Sequence, residues 1–176
     1  FGHAAAFTLR GGRTLLDGTY QQPISAIVAN FTKPSADAPS LLRHSEVDTL
    51  FHEFGHILHQ TLTRAKYLEF SGSSTERDFV EAPSQMFEEW ARREEPLALF
   101  AQICPTCPRL SKEQIVQLDA ARKFGRGNFF VRQGEYALYD MQLHTGKPGA
   151  PMLPWIAIEN ACPLGFVEGS MFPAGF

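Results

Sequence analysis

The chain is short of three things: long apolar runs, an excess of positive charge, and cysteine. No stretch approaches the roughly 18 to 20 apolar residues that cross a bilayer, and no charged start followed by an apolar secretory core opens the chain. Lysine and arginine number 16 against 19 aspartates and glutamates, a net charge of −3, with no basic stripe. That removes the electrostatic footprint of a nucleic-acid binder. The three cysteines (Cys104, Cys107, Cys162) are an odd number, which fits a reducing compartment better than a disulfide scaffold. Together these absences predict a soluble, cytoplasmic chain, in which the Asn30-Phe31-Thr32 sequon has no consequence. Internal repeats and low-complexity tracts are missing too.

What is present suits one compact domain: 176 residues, 44% hydrophobic and 20% charged, suffice for a sizeable core. The chain opens at Phe1 rather than Met and stops at "FPAGF", so a piece of a larger protein is expected. Two β-like runs, "HAAAFTL" and "PISAIVANF", flank turn signals at Gly11-Gly12 and Asp17-Gly18 and predict a hairpin. After a Pro/Ser loop, Ser45 and Asp48 have capping-box spacing for a helix. There Val47, Leu50, Phe51, Phe54, Ile57, Leu58 and Leu62 recur with helical period, which predicts a core face flanked by His52, Glu53 and His56. A second helix is expected from Asp78 with a kink or late start at Pro83, ending at Pro96. A third is signalled by Ser111 and Gln114, a fourth by "FFVRQGEYALYDMQLH", and a short one near Ile156. The fold class expected is mainly α with a small N-terminal β-hairpin.

"HEFGH", residues 52 to 56, carries the chemistry. With 6 histidines and 13 glutamates, chance gives a His-Glu-x-x-His pattern in roughly 1 to 2% of such chains, so context must decide. On a helix His52 and His56 share a face and can turn imidazole nitrogens to one ion, while Glu53 stands beside the site as a base would. The bland alternative is a pair of hydrogen-bonded helix histidines, costly at the edge of an apolar face if unpaired. A third ligand is needed. A histidine at the His-x-x-Gly-x-x-His spacing fails, because residue 59 is His and residue 62 is Leu. Among the glutamates, Glu69 sits too near the helix end, Glu76 lies in a Ser/Gly loop, and Glu88, Glu89, Glu94 and Glu95 form a charged run. Glu81, among apolar neighbours in "DFVEAP", is the candidate, since a carboxylate there requires a cation.

"FHEFGHILHQ", "FSGSSTERDFVEAPSQMFEEW" and "ISAIVANFTKPSADAPSLLRHSEV" resemble the catalytic core of the thimet oligopeptidase, oligopeptidase A and peptidyl-dipeptidase family of zinc metallopeptidases. The likeness is nearly continuous from Phe1 to about Trp90 and thinner beyond. It implies a zincin-like core of a larger helical peptidase, with residues 1–176 a single partial catalytic domain. Carried over by motif, it implies one zinc ion on His52, His56 and Glu81, Glu53 as general base, and short peptides as substrates of a monomeric protein. It further implies that the N-terminal helical half and a C-terminal Gly/His/Tyr loop are absent from these residues. Losing oxyanion donors costs about 10²- to 10³-fold in rate, so weak or no turnover is expected of the chain by itself. Tyr136, Tyr139 and His144 match a different helix of the family. The alternative reading is a helical module that binds zinc without catalysis.

Zinc-bound imidazoles usually donate their second N–H to a carboxylate or carbonyl. Asp48, one turn before His52, and Gln85 and Glu88, one and two turns past Glu81, are the candidates for that role, and His59 is expected at the helix surface. The edge of the N-terminal hairpin could pair with an extended peptide. Cys104-Pro-Thr-Cys107 lacks a second ligand pair and a βαβ context, so a turn with two reduced thiols is expected rather than a thiol redox site.

Overall fold

A computed structural model describes residues 3–146. They form four strands and five helices: β1 (Ala4–Arg10), β2 (Arg13–Thr14), β3 (Tyr20–Gln21), β4 (Ile24–Ala29), α1 (His44–Thr61), α2 (Ala82–Glu88), α3 (Glu94–Ile103), α4 (Lys112–Lys123) and α5 (Arg126–Thr145). The described chain is mostly helical with a small N-terminal sheet, as the sequence pattern predicts. The short helix expected near Ile156 and Cys162 both lie outside the described residues. Two units divide at residues 115 and 116, within α4.

In the first unit β1 and β4 pair antiparallel, from Ala4 opposite Ala29 to Thr8 opposite Ser25, with an irregularity before Arg10. The excursion between them is a ribbon of β2 and β3, closed where Asp17 and Gly18 were expected to turn. Asp17 accepts hydrogen bonds from the Thr19 backbone N–H (2.9 Å) and hydroxyl (2.7 Å), and Gly18 takes φ +84°, which glycine adopts without strain. The Tyr20 hydroxyl donates to the Thr63 carbonyl at 2.8 Å and ties the ribbon to the end of α1.

Helix α1 packs against β1, β4 and α2. It opens one residue before Ser45, and its capping carboxylate is Glu46, which accepts the Arg43 backbone N–H at 2.7 Å. The Ser45/Asp48 box is thus corrected, because Asp48 is drawn across to Arg92 and His44. The predicted core face is corrected as well. Phe54 and Leu62 are exposed, and the buried residues of α1 are Glu53, Gly55 and Gln60. Pro83 marks a late start, in the first turn of α2, where its missing N–H costs nothing. Pro96 falls in the first turn of α3 rather than simply ending what precedes it, since extended Arg93 already breaks the chain.

At the end of α3, Cys104 and Cys107 are joined in a disulfide, contrary to the expectation of two thiols. The cause is local: Cys107 N–H bonds back to the Cys104 carbonyl at 3.2 Å, a turn that brings the two Cα atoms to 5.3 Å, within bridging range. Helix α4 starts with the predicted reciprocal cap, Ser111 N–H to Gln114 Oε1 at 2.8 Å and Gln114 N–H to Ser111 Oγ at 3.3 Å. In the second unit Gly125, at φ +73°, turns the chain into α5, where Glu135 and Tyr139 are buried one turn apart. No described helix is long and apolar enough to cross a membrane.

Candidate metal centre

His52 and His56, successive turns of α1, place their ring centroids 4.9 Å apart and nearly perpendicular. Glu81 reaches them from the residue that precedes α2. Its Oε2 lies 3.2 Å from Nε2 of His52 and 3.2 Å from Nε2 of His56, and the three donors fall within 4.8 Å of one another. Ligand bonds of about 2.0 to 2.1 Å in a tetrahedron put neighbouring donors about 3.3 Å apart. Two imidazole nitrogens and one carboxylate oxygen at that spacing could hold a metal ion. The Ser84 hydroxyl donates to Glu81 Oε2 at 2.7 Å and, with the positive charge that His56 and His52 can carry, holds the Glu81 carboxyl below the usual carboxylate range. The charged, ligating form is therefore the favoured one.

Two residues that make this meeting possible escaped the reading of the sequence. Gly55, the fourth residue of "HEFGH", faces α2 so closely that a Cβ on it would stand 2.6 Å from Ser84 Cα and 2.8 Å from the Pro83 carbonyl. Those are backbone positions, which cannot swing aside. Glycine inside a helix costs about 1 kcal/mol relative to alanine, and that cost was the available signal of a packing reason. Ser84, fully buried, is the other. Nothing but its place in "EAPSQ" distinguishes it in the sequence from a helix-start serine.

Of the three candidates for orienting His52, the structure brings one to it: Glu88 Oε1 is 2.8 Å from His52 Nδ1. A carboxylate there only accepts, so Nδ1 is the donor of this pair and Nε2 is the nitrogen turned towards Glu81. Asp48 pairs instead with Arg92 and, at 3.5 Å, with His44. Gln85 is exposed, and its backbone N–H bonds to the Glu81 carbonyl at 2.9 Å. His59 is half-buried rather than superficial; burial lowers its pKa first, then its neighbour His56, and its ring meets Phe79 edge-on at 6.0 Å.

Glu53 is 8% exposed and sits with His52 and Glu88 in a cleft of about 570 Å³ that is bounded by His3 and Asn30 at the sheet end. It is outside the three-donor cluster but beside it. Tyr136, Tyr139 and His144 are on α5, in the second unit.

Helices beside a small sheet, with two histidines of α1 and the glutamate before α2 converging, form a candidate metal centre of the kind that metal-dependent hydrolases use. The chain belongs to peptidase family M3, a family of metallopeptidases, whose profile matches residues 1–162. It is similar to Thimet-like oligopeptidase of Dictyostelium discoideum, 41% identical over 150 residues, 84% of this chain and 22% of that protein. It is also similar to Mitochondrial intermediate peptidase of Arabidopsis thaliana, 38% identical over 144 residues, 82% of this chain and 20% of that protein. Oligopeptidase A of Escherichia coli (strain K12) is 41% identical over 130 residues, 73% of this chain and 19% of the relative. The chain thus spans about a fifth of the length of these curated relatives.

Proposed function

We propose that these residues are the metal-binding part of a larger catalytic domain, in a protein that hydrolyses peptide bonds of short peptides. His52, His56 and Glu81 hold one zinc ion, and Glu53 is the general base. The observation that carries this is the Glu81 oxygen 3.2 Å from both imidazole nitrogens, with Glu53 buried next to it. A zinc ion there supplies a Lewis acid for the scissile carbonyl and a lowered pKa for water. Glu53 takes a proton from the attacking water and passes it to the leaving amine, and its burial keeps bulk water from competing. Glu88 holds His52 in the ligating tautomer. The β1–β4 sheet borders the cleft and offers an edge for an extended peptide.

Glu53→Gln in the full-length protein is the test. Zinc content is expected to stay at wild-type level while peptide cleavage is abolished. Cleavage that persists removes Glu53 as the base, and zinc lost with it makes Glu53 a ligand instead. A cytoplasmic location belongs to the same proposal on grounds of composition, and a monomeric state on the family resemblance, whereas the Cys104–Cys107 bond favours a less reducing compartment. Cell fractionation decides between them.

A further inference from the structure

We propose that Arg92 is a positioning residue for the metal centre, acting on His52 through Glu88. The proposal rests on the metal-site reading above and extends it to a residue outside the motif. Arg92 closes the short 3-10 turn Glu89–Arg92 that follows α2, and its side chain is only 14% exposed. One guanidinium nitrogen, Nη2, meets Asp48 Oδ2 on α1. The other, Nη1, donates to the Glu88 carbonyl at 3.3 Å and lies 3.9 Å from Glu88 Oε2. The opposite oxygen of Glu88 is the one that accepts from His52 Nδ1 at 2.8 Å.

The contacts therefore run in a ring: from Asp48 on α1 to Arg92, to Glu88 on α2, and back to His52 one turn beyond Asp48. Each member constrains the next. A carboxylate has two oxygens, and a fixed cation beside Oε2 leaves Oε1 facing the imidazole. Glu88 is 30% exposed, so without that cation its side chain has solvent to turn to. A planar guanidinium suits the task because its separate N–H groups bind two partners in one plane, which an ammonium does not do in a fixed geometry. Carboxylates that orient metal-bound imidazoles commonly set affinity or activity by about 10- to 100-fold, and Arg92 governs whether this one is in place.

Zinc affinity of the full-length protein, read by competition with a chromophoric chelator, tests the proposal in a cycle of wild type, Arg92→Met, Glu88→Gln and the double variant. Arg92→Met is expected to weaken zinc about tenfold in the wild-type background. With Glu88→Gln already present, the further change is expected to be under about twofold, because the route through Glu88 is gone. An equal loss in both backgrounds would make Arg92 a mere strut between helices and overturn the proposal, and so would wild-type affinity in Arg92→Met. If Arg92→Met does not fold, Arg92→Lys, which keeps the cation but not the fork, enters the same cycle with the same two outcomes. Glu81→Ala is run alongside. Unchanged zinc affinity there overturns the metal site and this proposal together, whereas loss there with no effect of the Arg92 variants overturns only the role of Arg92.

Discussion

The two sides of α1 are built on opposite terms. On the side that meets α2 and the Gly72 turn lie Gly55, His56 and Gln60, and there the helix is close-packed: a Cβ on Gly55 or on Gly72 would strike backbone at 2.6 or 2.7 Å. On the other side Val47, Leu50, Phe51 and Phe54 line an open apolar groove of about 630 Å³, shared with Leu97 and Phe100 of α3. Phe54 is 44% exposed, while Glu53 and Gln60 are 8% and 5% exposed. In an ordinary surface helix the apolar stripe is the covered one. Among the described residues the tight contact lies on the side where Glu81 meets the two histidines, and the apolar stripe is the more open one.

The largest effect is expected where that tight side is forced open. Gly55→Val inserts three carbons against the Ser84 and Pro83 backbone. It should destabilise the chain by about 1 to 3 kcal/mol in denaturant unfolding and abolish stoichiometric zinc binding, as α2 is pushed from α1. Wild-type stability and affinity in that variant would contradict the close approach. Ser84→Ala is milder: the fold should survive, with zinc affinity about tenfold weaker because Glu81 loses the hydroxyl that holds it. The smallest effect belongs to the open side. Phe54 touches Phe87 edge-on at 6.3 Å but is otherwise half in solvent, so Phe54→Ser should cost about 1 kcal/mol. A loss of about 3 kcal/mol or more, the scale of a fully buried phenylalanine, would mean that the groove is closed in solution.

Features written in local signals were legible in the sequence. The Asp17-Gly18 turn and the Ser111/Gln114 cap each depend on residues within a few positions and occur where expected, and of the kink or late start expected at Pro83 the structure has the late start. The His52, His56 and Glu81 grouping was legible for another reason: helical spacing fixes the pair, and the surrounding motif points to Glu81, although the buried apolar setting expected of that glutamate is not found, its side chain being 48% exposed. What depends on partners far along the chain was not legible. Asp48 looks like a helix cap until Arg92, 44 residues away, is brought to it. Periodicity finds an apolar stripe on α1 but does not say what covers it: Val47, Leu50, Phe51, Ile57 and Leu58 are half-buried, while Phe54 and Leu62 are exposed. The Cys104–Cys107 bond needed the backbone turn, which spacing alone does not reveal.

The most direct measurement is the metal content of the chain after exchange into zinc-containing buffer and removal of loosely bound ion, for wild type and for Glu81→Ala. One equivalent in wild type and well under half an equivalent in the variant is the result expected if the three donors that converge within 4.8 Å act as one site. No zinc in wild type, or the same amount in both, would contradict it.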